Sequence, residues 1–249
     1  MRAVCAGRFA RRAAASGPGV VCAVFRRSFY TRHPGGYACV GDASLGRGPL
    51  NILVDGFEAA ALHARLRLDL TDSEEWAPQS PATYRPRVET LEEAANPPEE
   101  GFGGLIVGRQ SALAAHAAPA LAALAAWLRG HALAQPAAGL IGLGPGLTPS
   151  GDDYLAGVLV ALRAAGRGAR ADALWRWLEP RLAGRTSALS AAHLAAAAAG
   201  EAHEALHACL ARLVGGAAEW APLLARLGAV GHCSGWDALA GAHAALRGR

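Results

Sequence analysis

Glycines, hydroxyls and adjacent carboxylates crowd into one stretch of this chain, Gly142-Leu-Gly144-Pro-Gly146-Leu-Thr148-Pro149-Ser150-Gly151-Asp152-Asp153. Glycine admits positive φ and lets a ligand approach the backbone closely, while Thr148 and Ser150 place hydroxyls where a helix would begin. Beyond them Leu155, Val158, Leu159 and Leu162 recur at helical spacing, which predicts a helix over Ser150–Arg163. The unpaired N–H groups and positive dipole end of such a helix suit an anion. Asp153 stands three residues after Ser150, the spacing of a capping box. Neighbouring helical side chains diverge by about 100°, so assigning Asp153 to the cap leaves Asp152 for the ligand, its metal or catalysis. A well-capped helix with a tight approach loop is the plainer alternative. The stretch lacks the lysine of a Walker A loop and the glycine spacing of a dinucleotide fingerprint.

Gly231-His232-Cys233-Ser234-Gly235-Trp236-Asp237 repeats this logic, with glycines and a hydroxyl ahead of a helix whose first turn is acidic. Two such helix starts could face one cleft, with His232 exchanging protons near neutrality and Ser234 capping or binding. Arg185-Thr186-Ser187 puts a guanidinium and two hydroxyls at another helix start, a carboxylate or phosphate clamp if it is not a simple cap. The expected site therefore comprises Asp152, His232 and Asp237 as catalytic groups, with Gly144, Gly146, Thr148, Ser150, Arg185, Thr186, Ser187 and Ser234 binding substrate. Asp152 and Asp153 are the candidate metal ligands, and magnesium suits an all-oxygen set. His203-Glu204-Ala-Leu-His207 matches the short zincin pattern, but three fixed residues on an ordinary amphipathic segment argue for structure over metal.

The elements that must position these groups fall into two textures. Up to residue 108 the chain offers a short helix ending near Ser16 and then β-like runs at Val20–Tyr30, Gly36–Val40, Pro49–Val54, His63–Leu70 and Gly103–Gly108, separated by glycine and proline turns. An acidic, proline-rich connection over 71–100 holds a short helix near Val88–Ala95. From residue 109 alanine and leucine recur at helical spacing over Leu113–His131, Ser150–Arg163, Ala171–Leu182, Ser187–Ala199, Glu201–Val214, Pro222–Leu227 and Gly235–Leu246. The expectation is an α+β protein: an N-terminal small antiparallel sheet or barrel with its proline-rich connection over 1–108, and over 109–249 an α-helical bundle with glycine-rich loops at helix N-termini.

Composition narrows the function classes. Hydrophobic residues make up 52% of 249, ample for a core. All 24 basic residues are arginine, a coding bias more than a signal, and at a net charge of +4 they form no stripe, which disfavours nucleic acid. Five cysteines without CxxC spacing argue against both a disulfide framework and a zinc site, and a reducing cytoplasm fits them. No apolar run has the length of a membrane span or a signal peptide core.

Together, the 142–153 string, Arg185-Thr186-Ser187 and Gly231-His-Cys-Ser-Gly-Trp-Asp237 resemble a bacterial family of uncharacterised domains that includes the AllH subunit of oxamate carbamoyltransferase. The resemblance covers the C-terminal half and extends loosely to the first strands, and Tyr154 and Cys233 depart from the usual Phe and Ser. It implies a hetero-oligomeric carbamoyltransferase of purine or allantoin degradation, exchanging oxalurate and phosphate with oxamate and carbamoyl phosphate, with other subunits as partners. A non-catalytic anion-binding or scaffold subunit is the alternative.

Overall fold

The computed structural model describes residues 2–78, 88–213 and 218–247. They form two compact units, the first containing 2–78 with Glu201–Glu204, the second 88–200 with 205–247.

In the first unit strand β1 (Arg2–Gly7) leads into helix α1 (Arg8–Ala15), followed by β2 (Gly19–Val24), β3 (Ser28–His33), β4 (Gly36–Gly41), β5 (Asn51–Asp55), β6 (Arg65–Leu66) and β7 (Glu74–Trp76). They make one open sheet in the order β6-β2-β3-β4-β5-β1-β7. The sheet was expected to be antiparallel or closed into a barrel, and it is mixed and open, with β4 parallel to β5 and β1 parallel to β7. Side-chain alternation is the same for either strand direction, so the sequence pattern could not separate them. Ala10 of α1 packs on Val21, Phe29, Val40 and Ile52 to form the core of this unit.

Two local expectations fail here for identifiable reasons. The first residues form β1, because Ala6 is buried opposite Ile52 in the ladder, and the helix is confined to α1. The alternation from His63 to Leu70 yields only the two-residue β6, since Leu68 and Leu70 pack on the core without extending the ladder.

The second unit holds α2 (Val88–Ala94), α3 (Ala112–His116), α4 (Ala118–Leu128), α5 (Ser150–Ala164), α6 (Gly168–Leu178), α7 (Ala188–Ala198), α8 (Glu204–Leu213), α9 (Trp220–Gly228) and α10 (Ser234–Arg247), with short 3-10 turns between. α8 begins in the segment counted with the first unit, where Glu201 accepts a hydrogen bond from Arg8 Nε at 2.8 Å and Glu204 N donates to Arg47 O at 2.8 Å. These bonds stop the helix expected from Glu201 from starting before Glu204. Val214, its expected end, and Pro81 and Pro86 of the proline-rich connection lie outside the described residues. The strand expected at Gly103–Gly108 is a 3-10 turn over Gly103–Val107, closed by Gly108 at φ 72°. Short apolar runs do not distinguish strand from helix, and the Gly-Gly start favours neither.

α5 is apolar nearly all round: Leu155, Val158, Leu159 and Leu162 are buried, each contributing about 2 kcal/mol of transfer free energy. Its main partner is α10. A Cβ on Gly157 would come within 1.8 Å of Ala238 O, and one on Gly241 within 1.9 Å of Tyr154 O, so each helix backbone rests directly on the other.

Candidate functional site

The approach to α5 is built from glycines in the left-handed region, Gly142 at φ 70°, Gly144 at 113° and Gly146 at 95°. At Gly142 a side chain is also excluded by space, because a Cβ would lie 1.8 Å from Arg185 O. Pro149 holds the N-cap position and supplies no side-chain cap, which places Ser150 inside the first turn. The capping box expected between Ser150 and Asp153 therefore does not form.

Asp152 is buried, and its oxygens serve the protein itself. Gly142 N donates to Oδ1 at 2.8 Å, Ser190 Oγ donates to Oδ2 at 2.7 Å, and Thr186 Oγ1 donates to Oδ2 as well. One carboxylate thus ties the glycine stretch, the turn before α7 and α7 together. Ser187 caps α7 by accepting from Ser190 N at 2.9 Å and donates its own hydroxyl to Leu147 O at 2.8 Å. Arg185 is exposed, and its Nη1 donates to Ala138 O at 3.2 Å. Of the expected clamp, the two hydroxyls are engaged in joining the loop to α7. Ser190 is not among the expected site residues, although a serine three residues after a capping serine, in an alanine and leucine helix, is a usable signal.

The second helix start comes to the first. Thr148 Oγ1 lies 3.3 Å from Ser234 Oγ. Ser234 and Thr148 approach Asp153 closely enough to favour its anion, as Ser150 does for Asp237. Asp237 is fully buried and accepts from Phe102 N at 2.5 Å. Asp153 is only partly buried as a residue, yet its Oδ2, like Asp237 Oδ2, has no exposed surface and no hydrogen-bond partner. Burial pushes Asp153 well above the ordinary carboxylate range, with the charges of Asp237 and Asp152 adding to the rise. Burial likewise raises Asp237 to about 6. Burial of this kind tunes a carboxyl group toward giving and taking protons closer to neutrality.

This arrangement has a local symmetry that is written in the chain. Ser150-Gly-Asp-Asp-Tyr-Leu-Ala-Gly157 and Ser234-Gly-Trp-Asp-Ala-Leu-Ala-Gly241 agree at six of eight positions. Equivalent residues make equivalent contacts: Gly157 meets Ala238 O where Gly241 meets Tyr154 O, and Gly151 meets Leu140 O where Gly235 meets Leu227 O. The shared glycine, hydroxyl and acid are one part of this full octet.

His232 lies at the surface. It is highly exposed, with Nε2 3.9 Å from Glu100 Oε2 and with Cys233 beside it. The Cys233 thiol is pushed up by burial and then by the carboxylates of Asp237, Glu100 and Asp153. His203 lies before α8, where its Nε2 is 2.9 Å from Leu45 O, so the His-Glu-x-x-His string does not present one helical face.

Residues 140–246 match the family model of the oxamate carbamoyltransferase subunit AllH. The resemblance drawn from the motifs holds over this stretch, which runs from just before the glycine loop to the last turn of α10 and contains both helix starts. No curated protein and no solved structure gives a significant match to the chain. The AllH description is that of a carbamoyltransferase-associated subunit. Among the described residues no helix is long and apolar enough to cross a membrane.

Proposed function

We propose that this chain is a subunit of a carbamoyltransferase-type enzyme and that the paired starts of α5 and α10 bind a small molecule carrying both an amide and an oxyanion. Oxamate and carbamoyl phosphate, the chemistry to which the AllH match points, both have that form. The observation that carries the reading is the pair of buried, unpaired oxygens, Asp153 Oδ2 and Asp237 Oδ2, set between two helix N-termini. The helix ends and the Thr148, Ser150 and Ser234 hydroxyls suit the oxyanion, while the carboxylates suit amide N–H donors. In carbamoyl transfer the oxamate nitrogen attacks the carbamoyl carbon, the bond to phosphate oxygen breaks, and the nitrogen must shed a proton. In this reading an ionised carboxylate of Asp153 or Asp237 receives it, which keeps Asp237 as a catalytic candidate and moves the ligand-facing role from Asp152 to Asp153. Magnesium between Asp152 and Asp153 has no part in this reading, because Asp152 already accepts three protein donors. A docking role has one observation of its own, Leu147 at the loop tip, 40% exposed.

Calorimetric titration of the full chain tests this. Oxamate should bind at least about tenfold more tightly than oxalate, which lacks the amide, that factor being about one hydrogen bond. Asp153→Asn together with Asp237→Asn should erase the difference. Equal binding of oxamate and oxalate would favour the non-catalytic anion-binding alternative, and binding of neither would favour a scaffold subunit whose glycine loop docks on a partner.

A further inference from the structure

We propose that Glu100, His232 and Cys233 form a zinc-binding site, made of residues outside the carboxylate pair and argued without the carbamoyl chemistry. A carboxylate oxygen, an imidazole nitrogen and a thiol sulfur from these residues all lie within 4.8 Å of one another. Tetrahedral zinc draws its ligands from this set of atom types, with bonds of about 2.0–2.3 Å, so donors this close can converge on one ion with small side-chain adjustments. The mixture of one soft, one intermediate and one hard donor suits zinc and argues against magnesium or calcium, which select all-oxygen sets. Three protein ligands leave one position for water or for an oxygen of a bound molecule, the pattern of a reactive rather than a purely structural zinc.

The two segments that carry these ligands are held by one residue. Asp237 Oδ1 accepts from Phe102 N at 2.5 Å, two residues beyond Glu100, and Asp237 N donates to Cys233 O at 2.9 Å. On either side the chain turns through glycines at positive φ, Gly101 at 69° and Gly231 at 64°. A Cβ on Gly101 would stand 2.4 Å from Asp237 Oδ1, so the approach that brings Glu100 to His232 requires glycine there. The backbone is thus fixed before any ion arrives, which is how ligand side chains are preorganised. The His232–Glu100 pair alone would not account for the cluster, since an exposed ion pair contributes about 1 kcal/mol or less.

Cobalt provides the readout, because a cobalt–thiolate bond produces a charge-transfer band in the near ultraviolet. Reduced, chelator-stripped full-length protein titrated with Co2+ should develop that band at one equivalent and lose it on addition of zinc. Cys233→Ser should abolish the band, whereas Cys22→Ser, at the other accessible thiol, should leave it intact. His232→Ala and Glu100→Gln, both at exposed side chains, should each weaken zinc binding by at least about tenfold while the protein melts as before. Absence of the band, or its survival in Cys233→Ser, would overturn the site, as would unchanged zinc affinity in both His232→Ala and Glu100→Gln.

Discussion

Three aspartates within two helix turns have three different fates, and the difference comes from what surrounds each. Asp152 is saturated by protein donors, Asp237 is half satisfied, and Asp153 is approached by hydroxyls that leave Oδ2 unpaired. Burial is the principal cause of the raised Asp237 value of about 6, against an ordinary 3.8. Between about pH 4 and 6 the folded protein therefore keeps a proton that the unfolded chain has lost, so stability falls as pH rises through that window and levels off above it. Asp153 shifts in the same direction and adds to the decline. Asp237→Asn keeps an acceptor for Phe102 N and removes the cost of ionisation. Its denaturation midpoint, compared with that of the unaltered chain, should improve from about pH 4 to about pH 6 and level off above. A variant uniformly less stable across that range would show that Asp237 is ionised and paired in the folded protein.

At the scale of elements, the site exists because α5 and α10 lie backbone to backbone. Gly157→Ala and Gly241→Ala would each drive a methyl into a carbonyl of the facing helix, where overlap of this kind costs about 1–3 kcal/mol. The local symmetry adds a sharper expectation: the two variants should lower the melting temperature by similar amounts. The double variant should lose less than the sum, because the first separation relieves the second overlap. If one substitution were neutral, the reciprocal contact would not be what holds the helices. Gly146 is a useful control, since its Cβ would meet nothing within 4 Å and only its φ of 95° opposes substitution.

At the scale of the whole molecule, the first unit depends on a segment that returns to it late in the chain. Glu201 is buried with its carboxylate on Arg8, whose own side chain is 48% exposed. Arg8→Ala would leave that carboxylate without its charged partner, at a cost of about 2 kcal/mol after allowing for solvent around the arginine. Calorimetry should show the loss in the melting of the sheet, with oxamate binding at the α5 and α10 starts unchanged. A loss of binding together with stability would mean that the two properties are not separable in this way.

Much of this was legible in the sequence, and the limits have a physical cause. The helix at Ser150, the helix at Ser234, the β-rich first part and the concentration of chemistry at two glycine-flanked helix starts all follow from local rules of periodicity, turn chemistry and backbone freedom. Even the octet repeated at Ser150 and Ser234 was there to be read. Strand direction was not, since parallel and antiparallel neighbours show the same alternation. Nor were the roles of the carboxylates, because whether an aspartate is saturated or unpaired depends on groups far along the chain: Thr186 and Ser190 for Asp152, Phe102 for Asp237. The approach of Glu100 to His232 and Cys233 is of the same kind, a distance between residues more than a hundred positions apart. Local sequence determined which groups could do chemistry, and only the tertiary packing of α5 on α10 decided which of them remain free to do it.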